Sequence, residues 1–192
     1  DIAILYRARF QSRVIEETFS QMKIPYYIDS GLNFYQLSEV KYLLDYLKLI
    51  DNPDSEDGDE SLKSIINIPN RYFSRKLFQE LTTFAHGKNL HLFEALKAMP
   101  IDLPYVKTGV KDFVSFMGHM ADYAPNLSPA EVLEMVRSHF DYDRYISDSD
   151  FQTPDDVKIQ NLNQLQLSAA RYCNISSFLD YTDSFDEQIS DD

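Results

Sequence analysis

From Ser38 onward the apolar residues of this chain recur at helical spacing, and that periodicity constrains the fold more than any other feature. Val40, Leu43, Leu44, Leu47 and Ile50 trace one stripe behind Ser38, and Asn52-Pro53 stops it. Leu62, Ile65 and Ile66 predict a short helix that ends ahead of Pro69, because the residue before a proline is pushed out of the helical region. A turn follows at Asn67-Ile68-Pro69-Asn70-Arg71. Ser74 can cap a helix with Leu77, Phe78, Leu81, Phe84 and Ala85 inward and Gly87 just past its end. Leu92, Phe93 and Leu96 give a shorter helix, and Val106, Val110, Phe113, Val114, Met117 and Met120 a longer one containing Gly109 and Gly118. Ser128-Pro129-Ala130-Glu131 reads as a capping box with proline at the first helical position. Thr153-Pro154 opens a helix to about residue 172, and a last helix covers about 175 to 185.

The first thirty residues read differently. Residues 2–6 (IAILY) and 24–28 (IPYYI) are short apolar, β-rich runs, the second closed by a Ser30-Gly31 turn. Between them Val14, Ile15 and Phe19 make an apolar helix face. The expected fold is therefore mostly α-helical, a helical body over residues 31–192 preceded by a strand-helix-strand piece over 1–30. The longest apolar runs are far short of a membrane span and no charged-then-apolar leader opens the chain, so a cytoplasmic protein with no membrane partner is expected. The single cysteine, Cys173, fits a reducing compartment.

Net charge is −13, which argues against a free-standing nucleic-acid binder until its distribution is considered. Residues 51–60, 141–156 and 180–192 hold 18 of the 31 acids, and the rest of the chain has 13 acids against 17 bases. Residues 61–76 carry Lys63, Arg71, Arg75 and Lys76 with no acid at all. That stretch is either a salt-sensitive phosphate-binding surface or a solvated helix flank.

Several chemistries are missing. The only Gly-Lys pair, Gly87-Lys88, is followed by Asn89 and has Thr82 where a P-loop needs its first glycine. A calcium loop built on Gly58 would start at Pro53, which has no carboxylate, so Asp54 to Glu60 reads as a solvated loop. His86, His91, His119 and His139 form no i, i+4 pair, so no metal site is expected. Adjacent acids such as Glu16-Glu17 read as solvated. As a self-contained enzyme the chain looks incomplete.

The text from DIAILYRARFQSR through YLLDYLKLIDNP, then SIINIPNRYFS and LHLFEAL, resembles the UvrD/Rep/PcrA group of superfamily 1 DNA helicases. The resemblance covers most of residues 1–98 and, more loosely, 99–185 through NLNQL and SFLDYTDSF. It implies that residues 1–30 are part of the second RecA-like lobe (2A), carrying the motif called IV, and that 31–192 are the helical 2B accessory subdomain. It further implies a fragment of an ATP-dependent 3′ to 5′ helicase, inactive alone, whose parent uses ATP with Mg2+. The implied partners are DNA at a junction of single strand and duplex, the rest of the helicase chain, and an accessory protein. Tyr6 would pack on the adenine and Arg7 would be the catalytic, γ-phosphate-contacting arginine. Without the resemblance, Tyr6 reads as a packed strand-end residue and Arg7 as paired with Glu16 or Glu17.

The family's Tyr-Arg-Thr/Ser-Asn-x-Gln-Ser-Arg appears here as Tyr6-Arg7-Ala8-Arg9-Phe10-Gln11-Ser12-Arg13, with its ends kept and its middle changed. The family's Arg-Gly-Ile-Gly turn, which grips duplex backbone, reads Arg71-Tyr72-Phe73-Ser74. Close approach of backbone amides to phosphate needs small residues, so DNA contact here would fall to the charges of Arg71, Arg75 and Lys76. The alternative function is an acidic helical protein-interaction module, or a degenerate helicase relative, that regulates a motor.

Overall fold

The computed structural model describes residues 2–7, 11–27, 34–147 and 156–187. Ten α-helices lie among them: α1 Ser12–Gln21, α2 Ser38–Asp51, α3 Glu56–Ile65, α4 Arg75–Lys88, α5 Leu92–Ala98, α6 Pro104–Tyr123, α7 Pro129–His139, α8 Tyr142–Ile146, α9 Val157–Ala169 and α10 Ile175–Glu187. The mostly helical fold class is as expected. Ala8 to Phe10, the Ser30-Gly31 turn and the Thr153-Pro154 helix start lie outside the described residues.

The centre of the body is α2. A helix that is apolar on one stripe needs one neighbour, whereas α2 buries Val40, Leu43, Leu44, Tyr46, Leu47, Leu49 and Ile50 around most of its circumference. It accordingly packs against α3, α6, α7, α9 and α10. Leu62 and Ile65 of α3, Leu81 of α4, Phe93 of α5, Phe113 of α6, Val132 and Val136 of α7, Leu162 and Leu165 of α9 and Phe178 of α10 complete one continuous core.

Local chemistry sets most helix ends. Ser128 accepts the Glu131 amide while the Glu131 carboxylate accepts the Ser128 amide at 2.7 Å, the capping box expected for α7. Ser74 accepts the Leu77 amide at 3.2 Å and starts α4 as expected. That helix runs on through Gly87 and ends at Asn89, whose φ of 53° lets the Leu90 amide reach back to the Ala85 carbonyl. The last helix of the expected list holds, and the helix expected from 154 is described from Val157, with Asp156 as its cap.

Two expectations are corrected. The acidic run does not stay a loop: Ser55 accepts the Gly58 amide at 3.0 Å, and Glu56, Asp57 and Asp59 form the first turn of α3, where negative charge favours the helix dipole. The strand candidates pair with nothing among the described residues. Residues 2–6 and 24–27 take no regular secondary structure, and Leu5 is 96% exposed. A strand is stable only when its backbone groups find a neighbouring strand, and here the described chain supplies none.

Candidate functional site

The N-terminal candidates sit on that unladdered segment. Tyr6 is 40% exposed and Arg7 is exposed, its amide donating to Gln11 Oε1 at 3.0 Å. Arg7 does not pair with Glu16 or Glu17, because both carboxylates are engaged elsewhere. Arg13, one turn before Glu17 on α1, forms a buried ion pair with it. Tyr35 and Ser168 donate to the same Glu17 oxygen at 3.0 and 3.1 Å, and Arg171 reaches the other at 3.2 Å. Glu16 accepts the Phe34 amide at 3.3 Å. Burial, reinforced by the Glu17 carboxylate, pushes the Tyr35 phenol well above its ordinary range.

This arrangement inverts the expected face of α1. The helix forms, but Arg13, Glu16 and Glu17 are buried and Val14 is half exposed. A charged face can turn inward because every buried charge on it has an opposite charge or a donor within reach, the condition that makes ionic burial tolerable. Glu17 thus fastens α1 to the 3₁₀ turn Phe34–Gln36 and to α9. The sequence reading of Glu16-Glu17 as solvated missed this; the i, i+4 spacing of Arg13 and Glu17 was the one signal available.

The basic candidates separate into two kinds. Arg71 is only 7% exposed. Its Nη1 donates to the carbonyls of Ile65, Ile66, Ile68 and Pro69 at 3.1–3.2 Å, and its Nη2 donates to the Tyr46 hydroxyl at 2.9 Å. The guanidinium carbon lies 4.5 Å from the Phe113 ring centre and 4.6 Å from that of Phe140. Two of those carbonyls belong to the C-terminal end of α3, where a cation completes the helix dipole. Arg75 and Lys76, by contrast, are exposed in the first turn of α4, and Lys76 lies 3.8 Å from Glu80. Arg71 is therefore turned away from the other two and toward the core.

The loop between α3 and α4 is held in detail. Asn67 accepts the amides of Arg71 and Phe73 at 3.3 and 2.9 Å and donates to the Phe73 carbonyl at 2.7 Å. Asn70 accepts the Tyr72 amide at 2.8 Å. At its tip Tyr72 adopts a left-handed backbone with φ of 56°. A Cβ on Gly109 of α6 would meet Arg71 Cβ at 3.5 Å, so this loop and the first turns of α6 lie against each other.

For a nucleotide, the end of the N-terminal segment offers the aromatic face of Tyr6 beside the guanidinium of Arg7, which has no carboxylate at ion-pair distance among the described residues. No group of three His, Cys, Asp or Glu side chains capable of holding a metal occurs among the described residues, and none of their helices is long and apolar enough to cross a membrane.

The chain is similar to several known proteins. A family model described as the UvrD-like helicase C-terminal domain matches residues 1–190. An ATP-dependent DNA helicase PcrA of Staphylococcus epidermidis is 35% identical over 136 residues, 71% of this chain and 18% of that protein. An ATP-dependent DNA helicase Rep of Salmonella typhimurium is 31% identical over 169 residues, 86% of this chain and 24% of the relative. A Rep helicase of Buchnera aphidicola is 28% identical over 149 residues, 77% of this chain and 23% of the relative. The chain thus spans a quarter or less of these relatives.

Proposed function

The chain belongs to the UvrD-like helicase C-terminal domain family, and from that premise we propose that it works as part of an ATP-dependent, 3′ to 5′ translocating DNA helicase. In this reading residues 1–30 are an edge of the second motor lobe and 31–192 the helical 2B accessory subdomain. The P-loop, the Mg2+-holding residues and the remaining motor motifs lie outside these residues, and the chain by itself hydrolyses no ATP. Bound ATP supplies the phosphoryl bond to be broken. This chain's part is to stack Tyr6 on the base and to bring the Arg7 charge to the transferring phosphate, where a guanidinium lowers the barrier by stabilising developing charge. Arg75 and Lys76 face DNA phosphates from the first turn of α4, and Arg71 holds the loop beside them.

The observation that carries this reading is the free Arg7 beside a half-exposed Tyr6, at the end of an apolar segment that is exposed in the described chain. The apolar segment supplies a strand for a sheet completed by other residues. The carboxylates that would have made Arg7 structural are engaged by the Phe34 amide, Arg13 and Arg171. The acidic-module alternative is weakened because the tract at 51–60 helps to build α3.

The test is steady-state ATP hydrolysis by the helicase that contains this chain. Arg7→Ala is expected to lower kcat by about 10³-fold with little change in KM, because its charge acts mainly in the transition state. Tyr6→Ala is expected to raise KM for ATP. Wild-type kinetics in both variants would remove the nucleotide role.

A further inference from the structure

We propose that Tyr72 and Tyr105 form a rigid stacking platform for an unpaired nucleobase. The proposal rests on the nucleic-acid reading above and deepens it by naming the part of the ligand that is recognised and the residues that recognise it.

Tyr72 at the tip of the α3–α4 loop and Tyr105 in the first turn of α6 are 65% and 60% exposed. Their ring centres are 5.9 Å apart with planes at 83°, an edge-to-face pair. That geometry matters for a flat ligand. Within the pair the ring that presents its edge has neither face covered by its partner and the ring that receives it has one, so the pair does not itself close off its aromatic faces. Neither hydroxyl makes a hydrogen bond among the described residues, so the rings are not held there for a polar contact inside the protein.

The platform is also held still. Asn67, Asn70 and the buried Arg71 fix the backbone on both sides of Tyr72. The fixed backbone has a φ of 56°, which suits glycine and disfavours a bulky side chain. A large ring stands at a position whose backbone would be easier to form without it, the pattern in which local strain points to function.

Charge argues for the partner. The segments that carry the two tyrosines, 61–76 and 103–111, hold no acid within them, although Asp102 and Asp112 flank the second; besides the buried Arg71 and Lys63, which lies 3.8 Å from Glu60, they contribute Arg75, Lys76, Lys107 and Lys111 in a chain of net charge −13. Arg75 and Lys76 follow Tyr72 by three and four residues and are exposed. Exposed aromatic faces beside solvated cations suit a base with its phosphate backbone better than they suit an apolar protein surface. Within a duplex the base faces are already stacked, so the ligand the platform fits is a base in single strand.

The test uses the 192-residue chain and two fluorescent DNA hairpins at low salt, one blunt and one with a single-stranded overhang containing 2-aminopurine. Wild type is expected to bind the overhang hairpin more tightly and to change the 2-aminopurine fluorescence. Tyr72→Gly is expected to weaken overhang binding by about tenfold and to abolish the fluorescence change, with blunt-hairpin binding unaltered. The same variant should melt at a higher temperature, because glycine relieves the left-handed backbone, so weakened binding could not be ascribed to a damaged fold. Tyr105→Ala should weaken overhang binding in the same direction, and Tyr72→Phe should retain it. If Tyr72→Gly and Tyr105→Ala bind the overhang as wild type does, the platform is excluded while DNA binding stands. If neither hairpin binds to wild type, the nucleic-acid reading falls and the platform with it.

Discussion

Arg71 carries a full positive charge into the interior with no carboxylate at ion-pair distance among the described residues. Carbonyl oxygens and two aromatic faces take the place of a counter-ion there, and each is a fixed partner that water would otherwise supply. Arg71→Ala would leave the Ile66 and Pro69 carbonyls and the Tyr46 hydroxyl without the Arg71 donor, remove a second donor from the Ile65 and Ile68 carbonyls, and uncover the faces of Phe113 and Phe140. We expect a loss of about 3 kcal/mol in urea unfolding, with Arg71→Lys recovering only part of it, because an ammonium has no planar fork to span the carbonyls and Tyr46 together. Nothing in the string Asn-Arg-Tyr-Phe-Ser-Arg-Lys distinguishes this arginine from Arg75. The difference arises from Tyr46, 25 residues away, and from Phe113 and Phe140, farther still.

At the scale of single helices, three glycines show how context reverses a propensity. A Cβ added at Gly87 in α4 or at Gly118 in α6 would meet nothing within 4 Å, so Gly→Ala at either site should stabilise the protein by about 0.5–1 kcal/mol. Gly58 lies in α3, where the same propensity would favour alanine. Its Cβ would fall 2.5 Å from the Asn52 carbonyl oxygen and 3.0 Å from that of Pro53, both backbone atoms. Gly58→Ala should therefore destabilise by about 1–3 kcal/mol. Thermal melting of the three variants checks the sign of each, and a stabilised Gly58→Ala would contradict the close turn between α2 and α3. The helix itself was legible only from Leu62 onward, because its first turn is written in acids that read equally well as a loop; the Ser55 cap is the signal that separates the two.

Across the whole molecule, buried phenols link stability to alkaline pH. Burial raises Tyr35, Tyr142 and Tyr181, and it pushes Tyr46 up to about 12 despite the neighbouring Arg71. In the unfolded chain these phenols ionise at about pH 10, so the folded state holds protons there that the unfolded state releases. Their contribution is complete below about pH 10 and declines as pH rises above it, that of Tyr46 being lost through about 12 and those of the other three at still higher pH. Melting temperature should fall over that interval, in step with tyrosinate absorbance, and Tyr46→Phe should reduce the slope. A flat melting temperature across the interval would mean that these phenols are open to solvent. The helical body, most helix starts and the family likeness follow from the sequence alone, because stripes of apolar residues, caps and motif text are local properties of the chain. Which face of α1 turns inward, which arginine is buried and whether IAILY is laddered depend on groups distant in sequence or on strands that the described residues do not contain. Partner chemistry of that kind exists only once the helices have packed, and so the tertiary structure alone decides it.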